Sequence, residues 1–193
     1  MDNSKYQKKI VTIPNILSLF RICLIPVMLW LYCAKGNTVW TTILLVISGM
    51  TDVIDGYIAR RFGMVSDFGK AFDPVADKLT QAAMLCCLII RFPWMLLPFL
   101  VLVVKEIFIG VTALMAIRKT KHVPMAVWHG KVSTMLLYVM MLMHLVWYQI
   151  PDVCSYVLVG VCTAMMIVSA TLYGKYNVSL LQSKSLSKEN AQR

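Results

Sequence analysis

Apolar residues run along this chain in stretches near twenty long, at about 14–33, 38–58, 72–91, 93–117, 130–149 and 153–174. Wound as α-helix at about 1.5 Å per residue, a run of this length crosses a hydrocarbon core. The pattern therefore predicts an all-α integral membrane protein with six transmembrane helices. Short polar breaks at "AKGN", "RFPW" and "QIPD" join the runs in pairs and carry only Lys35 and Arg91 as cations. The other ends of the runs carry Lys5, Lys8, Lys9, Arg60, Arg61, Lys70, Arg118, Lys119, Lys121, Lys131 and Lys175, with Lys184, Lys188 and Arg193 beyond the last. By the positive-inside rule both termini are expected in the cytosol. Trp40, Trp94, Trp147 and Tyr148 at the outer ends, and Trp128, Tyr173 and Tyr176 at the inner ends, fit interfacial belts.

One membrane domain, 14–176, is expected, flanked by a juxtamembrane segment 1–13 and a polar tail 177–193. The first segment mixes Lys with Ile and Val, the make-up of a short helix lying on the inner leaflet. The tail shows no periodicity and reads as mobile. The first apolar run is long and no A-x-A site follows it, so it reads as a retained helix rather than a signal peptide. No internal repeat and no GxxxG pair is evident.

Composition sharpens the class. The chain is 59% hydrophobic and carries a formal charge of +10, but the cations cluster at helix ends rather than along a soluble face. Anionic headgroups explain them, and nucleic-acid binding is not expected. The six cysteines sit in or beside apolar runs without CxxC pairs, and read as small buried hydrophobes. The methionines of the later runs read as filling. His144, inside the fifth run, reads as a packed histidine, and His129 as a loop histidine at the interface.

The acids are distributed differently. Of nine Asp and Glu residues, five fall within "TDVIDGYIARRFGMVSDFGKAFDPVADK", residues 51–78. Asp52 and Asp55 are three apart and Asp73 and Asp77 four apart, so each pair occupies one helix face. If the two helices are antiparallel neighbours, four carboxylates converge. Such a cluster in a partly desolvated cleft demands protonation or counter-ions, and hard divalent cations match its oxygen donors. Two such ions side by side would clamp phosphoryl oxygens. Gly56, Gly69 and Ala59 smooth the same faces, and Arg60 adds a phosphate-friendly charge. The blander reading, aspartates as helix caps, suits Asp67 in the connecting loop, and Asp73-Pro74 also looks like a helix start. It does not suit the set, because acids at the membrane edge are costly and default to function. An EF-hand is excluded by spacing.

The eight positions Asp52-x2-Asp55-Gly56-x2-Ala59-Arg60-x8-Gly69-x3-Asp73-x3-Asp77 resemble the signature of the CDP-alcohol phosphatidyltransferase family. By chance such a match arises on the order of once in a billion starts. The opening "IPNILSLFRI" and the later "HGKVSTMLLY" resemble the family's first helix and its Gly-Lys-x-x-Thr segment. The resemblance implies displacement of CMP from CDP-diacylglycerol by an alcohol, with two Mg²⁺ or Mn²⁺ ions at the cytosolic face of the plasma membrane. It implies Asp52, Asp55, Asp73 and Asp77 as metal ligands, Asp77 also as general base, and Asp52, Gly56, Ala59, Arg60 and Gly69 at the CDP site. A homodimer is implied as well.

The acceptor is less constrained. Family members using glycerol 3-phosphate usually carry Arg-Glu where this chain has Lys105-Glu106, and Lys lacks the bidentate fork. Arg118 and Lys131, with Lys105, are the candidate acceptor-phosphate ligands. Glycerol 3-phosphate is the first expectation, and phosphatidylglycerol, giving cardiolipin, the alternative. A small metal-ion transporter is the reading from another class, opposed by the position of the acids at helix ends rather than at the bilayer midplane.

Overall fold

The computed structural model describes residues 13–62, 67–120, 128–147 and 149–190, with helix throughout the long apolar runs. Helix α1 spans Ile13–Cys33, α2 Thr38–Phe62 and α3 Asp67–Arg91. A 3₁₀ turn, Pro93–Met95, leads into α4, Leu96–Thr120, followed by α5, Trp128–Val146, and α6, Asp152–Asn190. Segment 1–12 and Tyr148 lie outside the described residues, so the expected interfacial helix is not addressed. Among the described residues the secondary structure is all helical.

Five of these helices are long and apolar enough to cross a membrane: 15–33, 38–58, 93–112, 128–146 and 152–176. The third run is the exception. Helix α3 starts at Asp67 and carries Asp73, Asp77 and Lys78 in its first half, so its continuous apolar part is short. Asp73-Pro74 is accordingly not a helix start: Pro74 lies inside α3, about two turns from its first residue. Nor is Asp67 in a loop, since it opens the helix. The tail also differs from expectation, because α6 runs on to Asn190. No Gly or Pro follows Gly174, so nothing in the sequence interrupts the backbone hydrogen-bond ladder.

The chain divides into two compact units. The first runs to Phe92 and includes Met141–Gln149; the second comprises Pro93–Met140 and the chain from Ile150 onward. In the first unit α1 packs against both α2 and α3. Its buried face reads Asn15, Ser18, Arg21, Leu24, Met28, a helical stripe that is polar in the first half of the helix and apolar in the second. The matching stripe of α2 is Thr41, Leu45, Ser48 and Asp55, and that of α3 is Ala76, Thr80, Gln81, Met84, Leu88. His144 is buried and meets the Phe92 ring edge-on at 5.0 Å, as its packed reading anticipates.

The α1–α2 turn is built from its sequence. Gly36 adopts φ 60°, a left-handed conformation that costs other residues steric strain. Asn37 then caps α2, its Oδ1 accepting from the Trp40 backbone N–H at 3.1 Å. In the second unit α4 packs against α6. Trp94 donates its indole N–H to Ser155 Oγ at 2.7 Å and meets Tyr156 edge-on.

Candidate functional site

The polar half of α1 is where the acids meet. Asn15, Ser18 and Arg21 are spaced three apart, so they project along one side of the helix. Arg21 has no exposed surface. One of its terminal nitrogens, Nη1, donates to Asp52 Oδ1 at 2.7 Å, and the other, Nη2, to Asp55 Oδ2, also at 2.7 Å. Both are short charge-assisted bonds, and the planar guanidinium spans two carboxylates one helical turn apart. Asp55 is almost wholly buried, whereas the Asp52 side chain is 43% exposed and opens the site to its surroundings.

Helix α3 joins on the same polar face of α1. Ser18 donates its hydroxyl to Asp73 Oδ1 at 2.5 Å. Asp55 feels the negative charges of both Asp52 and Asp73 beside the positive charge of Arg21. Three aspartates from α2 and α3 thus share one electrostatic neighbourhood, and the element that gathers them is α1. The aspartate spacing alone predicts convergence through direct α2–α3 pairing; Arg21 and Ser18 of α1, which gather the acids instead, lie outside that expectation. A signal existed: a cation inside an otherwise apolar run demands a partner.

Asp77 lies one turn beyond Asp73 and is largely buried, its side chain 14% exposed. Gln81, one further turn along α3, donates Nε2 to Asp77 Oδ2 at 2.8 Å, and Lys78 Nζ lies 3.8 Å from the same oxygen. Gly56 is half-buried in the turn after Asp55. Ala59 and Arg60 fall in the last turns of α2 and Gly69 in the first turn of α3. Their side-chain surroundings, and those of Asp67, lie outside the described residues.

Among the described residues, no three His, Cys, Asp or Glu side chains already stand in a metal-holding arrangement. The acids are turned instead onto Arg21, Ser18 and Gln81. Their chemistry nevertheless fits hard cations, since every donor is a carboxylate oxygen. Among the described residues, one guanidinium, that of Arg21, is paired with Asp52 and Asp55, while Asp73 is held by the neutral Ser18 hydroxyl. Asp52 Oδ1 and Asp55 Oδ2 are the oxygens engaged by Arg21, so each carboxylate has a second oxygen outside that fork, and the Asp55 carboxylate also accepts from the Gly56 backbone N–H.

The candidate acceptor ligands belong to the second unit. Lys105 is buried in α4, with Nζ 3.2 Å from Glu106 Oε1. Lys131 is exposed in the first turn of α5, and Arg118 is in the last turn of α4 with its side chain outside the description. His129 is in the first turn of α5 rather than in a loop, its ring tilted 37° from that of Trp128 and edge-on to Tyr173. Its Nε2 is buried with no hydrogen-bond partner.

Comparison with known proteins adds two findings. Residues 11–175 match the CDP-alcohol phosphatidyltransferase family. Among curated relatives, a CDP-diacylglycerol–glycerol-3-phosphate 3-phosphatidyltransferase of Arabidopsis thaliana is 33% identical over 54% of this chain and 50% of its own length. The enzyme of the same name from Rickettsia typhi is 34% identical over 51% of this chain and 56% of its own. A CMP-forming cardiolipin synthase of Streptomyces coelicolor is 38% identical over 37% of this chain and 35% of its own. The matches thus span about half, or less, of the length of these relatives.

Proposed function

The chain belongs to the CDP-alcohol phosphatidyltransferase family, and from that premise we propose that it transfers the phosphatidyl group of CDP-diacylglycerol to glycerol 3-phosphate, releasing CMP. The observation that carries the reading is the intact aspartate pattern with Asp52, Asp55 and Asp73 drawn to one polar face of α1. Relatives named for this reaction support the choice of acceptor.

Asp52, Asp55, Asp73 and Asp77 would hold two divalent cations, Mg²⁺ or Mn²⁺. Bound there, the ions would neutralise the pyrophosphate and the departing CMP. The protein's own part is orientation and proton transfer. Gly56, Ala59 and Gly69 leave room for the cytidine diphosphate, and Arg60 supplies charge to its phosphates. A hydroxyl of the acceptor attacks the phosphorus that bears the diacylglycerol. The new P–O bond forms as the bond to CMP breaks, and the hydroxyl proton passes to Asp77. A carboxylate suffices as base because the proton moves only as the hydroxyl oxygen loses its electron density to phosphorus. Gln81, bonded to Asp77 Oδ2, fixes the direction of that carboxylate. Arg118, Lys131 and Lys105 are assigned to the acceptor phosphate.

The membrane arrangement is part of the same reading: six spans, including α3 as a short one, both termini and the acids on the cytosolic side, a plasma-membrane location and a homodimer. The cation bias of the inner ends supports the orientation. Phosphatidylglycerol as acceptor is the second reading, favoured by the Streptomyces coelicolor relative and by Lys105 where a forked Arg would suit a phosphate monoester. A metal-ion transporter finds no support in the family match.

The test supplies purified protein with CDP-diacylglycerol, Mg²⁺ or Mn²⁺ and each acceptor in turn, and measures released CMP and the lipid formed. Phosphatidylglycerophosphate from glycerol 3-phosphate alone is the expected result. Cardiolipin from phosphatidylglycerol alone transfers the assignment to the second reading. Chelation by EDTA is expected to stop turnover, and added Mg²⁺ or Mn²⁺ to restore it.

A further inference from the structure

We propose that Arg21 is a positioning residue of the aspartate site: its guanidinium fork fixes one oxygen of Asp52 and one of Asp55, leaving the second oxygen of each to a divalent cation. The inference rests on the two-cation reading above.

Three observations carry it. First, Arg21 is completely buried, yet both of its terminal nitrogens are spent on these two carboxylates, each at 2.7 Å. Second, its Nε is buried without a hydrogen-bond partner. The side chain therefore sits where the two aspartates require it, not where its own donors would all be satisfied. Third, the neighbouring position on the same face of α1 repeats the arrangement, Ser18 engaging one oxygen of Asp73. Helix α1 thus presents a row of donors, each holding an acid that the chain's motif supplies from another helix.

A rival account makes Arg21 a stand-in counter-charge that competes with cations for the same oxygens. The two differ in sign. A residue that orients metal ligands from behind raises cation affinity, and loss of such a partner commonly costs 10–100-fold. A competitor lowers affinity, and its loss tightens binding.

The experiment compares wild type, Arg21→Gln and Arg21→Lys, purified in detergent without any nucleotide or lipid substrate. Mn²⁺ binding is titrated by the electron paramagnetic resonance signal of the free ion and, in parallel, by the Mn²⁺-dependent rise in thermal unfolding temperature. Leu45→Ala, a buried apolar truncation on α2, controls for general destabilisation. The expected result is an Mn²⁺ midpoint raised about 10–100-fold in Arg21→Gln. Arg21→Lys, a single point charge that cannot fork, is expected to fall between the two, and Leu45→Ala to unfold earlier with an unmoved midpoint. An unchanged or lower midpoint in Arg21→Gln, or a midpoint in Leu45→Ala displaced as far, overturns the proposal. Should Arg21→Gln not fold, Arg21→Lys decides, and a wild-type midpoint in that variant overturns the fork. Wild type that takes up no Mn²⁺ overturns the cation reading itself, and the role given to Arg21 with it.

Discussion

Asp77 and Arg21 make different demands on their surroundings. In the proposed mechanism Asp77 is the base and must reach the substrate; 14% of its side chain is exposed while Gln81 holds one oxygen. Asp77→Asn preserves size and hydrogen bonding but removes the proton acceptor. Its rate of CMP release is expected to fall by roughly 10²–10⁴-fold, with a residual Mn²⁺-dependent thermal shift. Near-normal release would dismiss the base assignment. Gln81→Leu removes the donor and leaves Asp77 less well directed. A smaller loss, on the order of 10-fold, is expected, mainly in kcat, and a steady-state assay of the variant separates this from a KM effect.

At the scale of the element, glycines separate helix packing from helix propensity. A Cβ at Gly130 would come within 2.6 Å of the Tyr173 hydroxyl, and one at Gly174 within 2.9 Å of the Phe108 ring. Both lie in the second unit, where α5 and α4 meet α6 closely at these points. Gly130→Ala and Gly174→Ala are expected to destabilise by about 1–3 kcal/mol through overpacking. Gly110 and Gly160 have nothing within 4 Å of the added carbon. Alanine there is expected to be neutral or to gain up to about 1 kcal/mol from helix propensity. Thermal unfolding of the four variants in one detergent gives the comparison, and equal effects at all four sites would refute the packing account. In the α1–α2 turn, Asn37→Ala is expected to cost about 1 kcal/mol by removing the cap of α2.

For the molecule as a whole, orientation is the property that unites sequence and proposed chemistry. The proposed CDP-linked substrate is water-borne at its nucleotide end, so on that proposal the acids face one compartment. The proposed topology puts the start of α6, with exposed Cys154, on the outer side and its far end on the inner. In intact cells, a variant retaining Cys154 as its only cysteine is expected to react with a membrane-impermeant maleimide. A cysteine-free chain carrying Ser185→Cys is expected to react only after permeabilisation. Labelling of Ser185→Cys in intact cells would invert the topology and put the aspartates on the wrong face for cytosolic nucleotide.

The amino-acid order by itself determined where the long apolar helices run and which acids share a helix face. Hydropathy over near-twenty-residue runs sets where helices form, because a backbone in lipid must satisfy its own hydrogen bonds. The spacing of Asp52, Asp55, Asp73 and Asp77 sets which of them share a face. Neither signal says which helix those faces meet. That was decided by tertiary packing, which turned the polar half of α1 toward α2 and α3 and joined Arg21 to partners 31 and 34 residues away. It also set the limits of α3, where Pro74 is carried inside the helix rather than opening it. Periodicity fixes the buried side of a helix from local pattern alone, whereas the identity of the neighbour depends on how several helices rotate to bury their faces together.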